Sequence, residues 1–101
     1  MLTPITVKKS DWDRKEGPER IQKTFQFKSR SGALHFLNKL IELEEQKGHH
    51  AAIMISEDRV TVQLRTKSLD QVTDLDIEYA HIANEIAEDV RHIREEKSYE
   101  W

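Results

Sequence analysis

The chain has 101 residues, no cysteine, 37% apolar and 35% charged residues, and a net charge of −3 with its histidines neutral. That length suits one domain with a modest core; the charge gives no case for general nucleic-acid binding, and without thiols there are no disulfides or thiolate metal sites. No apolar run is long enough to span a bilayer and the first residues lack the apolar segment of a secretory signal, so a soluble cytoplasmic protein with no membrane partner is expected.

Residues 1–11, with Pro4, read as an arm with a brief extended piece over 5–8. Residues 12–15 suit a short edge strand, and Gly17-Pro18 marks a turn. Residues 20–28 then alternate, with Ile21, Phe25 and Phe27 on one face and Gln22, Thr24, Gln26 and Lys28 on the other; Lys23 breaks the apolar face once. The two runs predict a hairpin.

Ser29 or Ser31 can cap the helix that follows, where free backbone N–H groups need an acceptor. Ala33, Phe36, Leu37, Leu40, Ile41 and Glu44 recur at helical spacing, widened by Leu34 and Leu43, and Gly48 is placed to end the helix in a left-handed conformation. Residues 51–56 are a short apolar strand. Glu57-Asp58 breaks it, and residues 59–66 alternate with Val60, Val62 and Leu64 on one face, predicting a second hairpin. After a connection over 67–72, Thr73-Asp-Leu-Asp76 resembles a capping box, and Asp74 and Asp76 suit the dipole of a helix start. Leu75, Tyr79, Ile82, Ile86, Val90 and Ile93 predict a long amphipathic helix over 74–96, ahead of a polar tail at 97–101 that ends in Trp101.

The order β-β-α-β-β-α predicts an α+β single-domain two-layer sandwich over residues 12–96: a four-stranded antiparallel sheet with both helices packed on one face. The apolar stripe of the last helix is long for a monomer of this size, so part of it is expected to meet a neighbouring copy.

His49 and His50 sit where the first helix meets the third strand. Taken alone they read first as two surface histidines favoured by the helix C-terminal dipole; the sharper reading is a pair of proton-transfer groups that titrate near neutrality. Adjacent residues in an extended chain point to opposite sides, and His35, His81 and His92 have no matching partner one turn away, so no metal signature is present. Glu45, one turn before His49, can orient an imidazole or simply be a solvated carboxylate. Lys67 reads alone as a surface lysine, and Asp76 as dipole compensation.

The spacing of the set carries more. Glu45-x-x-x-His49-His50, then Thr66-Lys67, then Thr73-x-x-Asp76 opening a helix, resembles the pterin-4a-carbinolamine dehydratase family, without gaps from Glu45 to Asp76. Trp12, the strand through Phe25 and Phe27, and Ala33-x-x-Phe36-Leu37 look like that family's first hairpin and helix, so the resemblance covers roughly residues 12–90. It implies a lyase of tetrahydrobiopterin metabolism: three histidines line a pterin-binding pocket and remove water from 4a-hydroxytetrahydropterin to give the quinonoid dihydropterin, with no metal or cofactor. On this chain it implies catalytic roles for His49, His50 and Lys67, with Glu45, Ala51, Thr66 and Asp76 in support. The chain departs from the family pattern where Ala51 stands for a proline, Ile53 and Met54 for aromatic residues, Glu57 for a tyrosine, and Lys67 for the third histidine. An ammonium can donate a proton but is a poor base unless its surroundings shift it, and lost aromatics weaken stacking on a flat ring. The resemblance therefore implies two readings: a dehydratase, or a catalytically inactive dehydratase-like binding or assembly protein with a protein partner such as a transcription factor or Rubisco. It also implies a homodimer or homotetramer.

Overall fold

The order β-β-α-β-β-α appears in the computed structural model, which describes residues 11–95. The brief strand expected at 5–8, the rest of the arm through residue 10, and the tail with Trp101 lie outside them.

Strands β1 (Asp13–Lys15) and β2 (Arg20–Gln26) pair antiparallel with Arg14 opposite Ile21. Ile21, Phe25 and Phe27 are buried, as the alternation predicts. Lys23, on the same face, is accommodated at the rim of the core. Its ammonium donates to Asn84 Oδ1 (2.9 Å) and Asp11 Oδ2 (2.8 Å) and lies 4.6 Å from the centre of the Phe25 ring. The Trp12 indole N–H donates to the same Asn84 oxygen (3.2 Å). The hydrogen bond from Lys23 holds the Asp11 carboxyl below its usual range.

Helix α1 (Arg30–Lys47) is capped by Ser29, whose hydroxyl accepts from Gly32 N–H (3.2 Å). Its buried side is Ala33, Phe36, Leu40, Leu43 and Glu44. Leu34 and Ile41, expected on the apolar stripe, are exposed; they lie at its margin, turned away from the sheet. Gly48 ends the helix at φ 67°, where a left-handed residue lets its N–H return to Glu44 O (2.8 Å).

Strands β3 (Ala52–Ser56) and β4 (Arg59–Leu64) form the second hairpin about Glu57 (φ 55°) and Asp58. β4 ends two residues earlier than expected, although Thr66 makes an isolated bridge to Gln71. The sheet order is β1-β2-β4-β3, antiparallel throughout. Register sets Ile21 against Leu64, Lys23 against Val62 and Phe25 against Val60, so one face carries the core. Phe36 of α1 packs between Phe25 (4.7 Å between ring centres) and Phe27 (5.1 Å). The opposite face carries a Thr24–Thr61 hydrogen bond (2.8 Å) and a Gln63–Gln22 one (3.0 Å).

Helix α2 (Asp74–Asp89) opens on the expected capping box of Thr73 and Asp76. Its inward side keeps Tyr79 and Val90 of the expected stripe and differs elsewhere. Asp76, Tyr79, Ala80, Ala83, Ala87 and Val90 are buried, Ile82 and Ile86 flank the core, and Leu75 is exposed. Small alanines let the helix lie close on its neighbours, so the larger aliphatic residues fall to either side. The α-helix stops at Asp89 instead of running on to 96; a π-helical turn, Val90–Glu95, continues it. There Arg91 bends back onto β2, donating to Gln26 O (3.2 Å) and lying over the Phe27 ring.

Candidate functional site

Three polar or charged residues are buried among the described residues: Glu44, Thr66 and Asp76. They meet at one place, where the end of α1, the end of β4 and the start of α2 converge. Burying such groups is costly unless each finds partners, and the partners here include the sequence-predicted His49 and Ala51.

Asp76 is fully buried. Its Oδ1 lies 2.6 Å from His49 Nε2; its Oδ2 accepts from Thr66 Oγ1 (2.8 Å) and from Thr73 N–H (2.9 Å). The capping position explains why the carboxylate is there: the third residue of a helix reaches back to the cap. An ionised carboxylate only accepts, so His49 donates through Nε2–H, and Nδ1 is the ring nitrogen left for chemistry. Directions along the hydroxyls follow in the same way. Thr66 spends its single O–H on Asp76, so in the 2.6 Å contact between Thr66 and Thr73 the donor is Thr73. Thr73 Oγ1 in turn accepts from Leu75 N–H (3.3 Å).

Glu44 forms the other half. One oxygen, Oε2, accepts from the Tyr79 phenol (2.6 Å) and from Ala51 N–H (3.1 Å). Burial, and then the neighbouring Glu44 carboxylate, push the Tyr79 phenol far above its ordinary value, so it stays a donor. Asp76 and Tyr79 are three residues apart and share one face of α2.

His49 is largely covered, with 13% of its side chain exposed, whereas His50 is exposed. Glu45 is exposed too; the carboxylate that orients His49 is Asp76, because at the helix end the inward position falls to Glu44 and its neighbour points to solvent. Lys67 is exposed in the turn over 67–70, where its carbonyl accepts from Asp70 N–H (3.1 Å). A cleft of about 30 Å³ is lined by Lys47, His49, Leu75, Glu78, Tyr79 and Ile82. An ion pair between Lys47 and Glu78 (2.9 Å) stands beside it, and neither His50 nor Lys67 lines it. Among the described residues no group of three or more His, Asp or Glu is arranged to hold a metal ion.

Sequence reasoning missed Glu44 and Tyr79 as polar partners. The signal was present: a carboxylate on the apolar stripe of α1, four residues after Leu40, is a buried acid in want of a donor.

The family model described as pterin 4 alpha carbinolamine dehydratase matches residues 3–86. A protein of Thermosynechococcus vestitus, whose assignment as a pterin-4-alpha-carbinolamine dehydratase is provisional, is 38% identical over 73 residues, covering 72% of this chain and 77% of its own. Among solved structures, a transcriptional coactivator/pterin dehydratase from Brucella melitensis superposes with a TM-score of 0.74 at 36% identity, over 77% of this chain and 83% of that one. A pterin dehydratase-like protein identified as a RuBisCO assembly factor in the alpha-carboxysome gives a TM-score of 0.68 over 77% and 90%; at 24% identity that likeness concerns the fold alone.

Proposed function

The chain belongs to the pterin 4 alpha carbinolamine dehydratase family, and on that premise we propose that it removes water from a 4a-hydroxytetrahydropterin to give the quinonoid dihydropterin. The observation that carries the reading is the buried Asp76 carboxylate on His49 Nε2, which fixes the tautomer and leaves Nδ1 as a base. His49 Nδ1 takes the proton from a ring nitrogen of the pterin. The electron pair of that N–H bond forms the new carbon–nitrogen double bond. The bond from C4a to the hydroxyl breaks, and its oxygen leaves with the bonding pair and gains a proton, so that water departs. His50 or the Lys67 ammonium supplies that proton. Thr66 holds Asp76, and Ala51, anchored by its N–H, holds the strand entry that carries both histidines. Glu45 has a place only at the rim.

Purified protein mixed with chemically generated 4a-hydroxytetrahydropterin, with water loss followed by ultraviolet absorbance, tests this directly. Acceleration over the uncatalysed rate that His49→Ala abolishes is the expected result. A rate equal to the uncatalysed one, unchanged by His49→Ala or His50→Ala, overturns it.

A second reading is favoured by Lys67 in place of the third family histidine. In that reading the domain binds a protein partner, such as a transcription factor or Rubisco, without turnover. In either reading we take residues 12–96 as the functional domain, acting in the cytoplasm as a homodimer or homotetramer. Exposed Leu34 and Ile41 on α1 and Leu75 and Ile77 on α2 support self-association.

A further inference from the structure

Glu44 is a buried carboxylate that accepts, among the described residues, from two neutral groups, the Tyr79 phenol and Ala51 N–H. A short hydrogen bond from Tyr79 (2.6 Å) and a longer one from Ala51 N–H (3.1 Å) offset part of the cost of burying it. The same residue holds the chain twice. Its backbone carbonyl accepts from Gly48 N–H (2.8 Å), and its side chain accepts from Ala51 N–H (3.1 Å). Between these two anchor points lie only His49 and His50. The imidazole of His49 is then tied to Asp76 on α2, and one turn further along α2 Tyr79 reaches back to Glu44. Each helix thus contributes a carboxylate: the Tyr79–Glu44 bond joins α2 to α1 beside the histidine segment, and the His49–Asp76 bond ties the segment itself to α2.

We propose that Glu44 and Tyr79 are positioning residues for the histidine pair: the Tyr79–Glu44–Ala51 chain fixes the 48–51 segment so that His49 meets Asp76 through Nε2 and presents Nδ1 outward. The inference rests on the dehydratase reading for its effect on turnover and on the hydrogen bonds alone for its effect on His49. Tyr79→Phe keeps the ring packing and removes the donor that completes the chain.

The test compares the isotope-labelled full chain with Tyr79→Phe and Glu44→Gln by nuclear magnetic resonance, with the dehydration assay alongside. In Tyr79→Phe, Ala51 N–H exchange should rise about tenfold, the weight of one hydrogen bond to a charged group, while amides in the centre of β4 keep their wild-type rates. The His49 Nε2–H signal should broaden and move, and kcat should fall about tenfold with KM within about twofold, the pattern of a misaligned base. Glu44→Gln should change all three in the same direction, and it carries the comparison if Tyr79→Phe does not fold. A variant that lowers the melting temperature while leaving Ala51 exchange and the His49 signal at wild-type values overturns the proposal and leaves the pair a core contact. A wild-type chain without turnover sinks the dehydratase reading alone, since Ala51 and His49 still report on the positioning.

Discussion

Asp76→Asn tests how the site is held. The amide has the size of the carboxylate, so no cavity opens, but it has one acceptor oxygen where the carboxylate has two. Three groups converge on the native side chain: His49 Nε2, Thr66 Oγ1 and Thr73 N–H. The amide oxygen can keep the two that meet at Oδ2, which leaves the NH2 facing His49. The ring can accept from that NH2 only by moving its own proton to Nδ1, the atom assigned as the base. Three charge-assisted bonds become neutral ones. With bonds to charged groups worth about 1.5–3 kcal/mol and neutral ones about half that, the loss comes to roughly 2–4 kcal/mol. For a domain of this size that lowers the melting temperature by roughly 10–20 °C. Thermal unfolding reads the stability, nitrogen chemical shifts of the His49 ring read the tautomer, and the dehydration assay reads the rate, which should fall further than stability explains. A variant that melts within about 3 °C of wild type and keeps its proton on Nε2 would refute the assigned geometry.

Tyr79 gives a pH dependence of definite sign. Its proton is held more tightly in the folded chain than the ordinary value of 10.0; its contribution is therefore complete below that pH and declines as pH rises beyond it. Denaturant unfolding across alkaline pH should show a steeper loss for wild type than for Tyr79→Phe. Gly48→Ala should cost about 1 kcal/mol, read by thermal unfolding, because φ 67° disfavours a side chain while no heavy atom lies within 4 Å of the new carbon. Lys67→His should raise the dehydration rate; no gain would mean that more than one wall of the pocket has changed. Light scattering should return the mass of a dimer or tetramer, and a monomer at high concentration would count against self-association.

Much of the fold was legible because short-range rules govern it. Ser29, Gly48 and the Thr73–Asp76 box mark helix ends through contacts within a few residues, and the alternation of β2 and β4 fixes which side is buried. The inner side of α2 was harder to read. Aliphatic spacing points to Leu75, Ile82 and Ile86, whereas close packing selects Ala80, Ala83 and Ala87, and hydrophobicity alone does not measure how near a helix can approach. In the candidate site, His49, Thr66 and Asp76 do meet. Their meeting depends on residues ten to twenty-seven positions apart, so family spacing pointed to it and local chemistry did not. Glu45 and Glu44 are adjacent and chemically alike, and only the phase of α1 against the sheet decides which turns inward.

The direction of the hydroxyl protons has a consequence for how His49 discharges. Thr73 gives to Thr66, Thr66 gives to Asp76, and the backbone N–H groups of Thr73 and Leu75 close the far end. Every one of these links points toward the carboxylate, so these two hydroxyls do not carry a proton away from it. In the proposed reaction, a proton picked up at Nδ1 would leave on the side away from Asp76. Each catalytic cycle would then be reset by solvent or buffer at the surface, and external proton carriers would quicken a slow reset while the fold behind His49 stayed still.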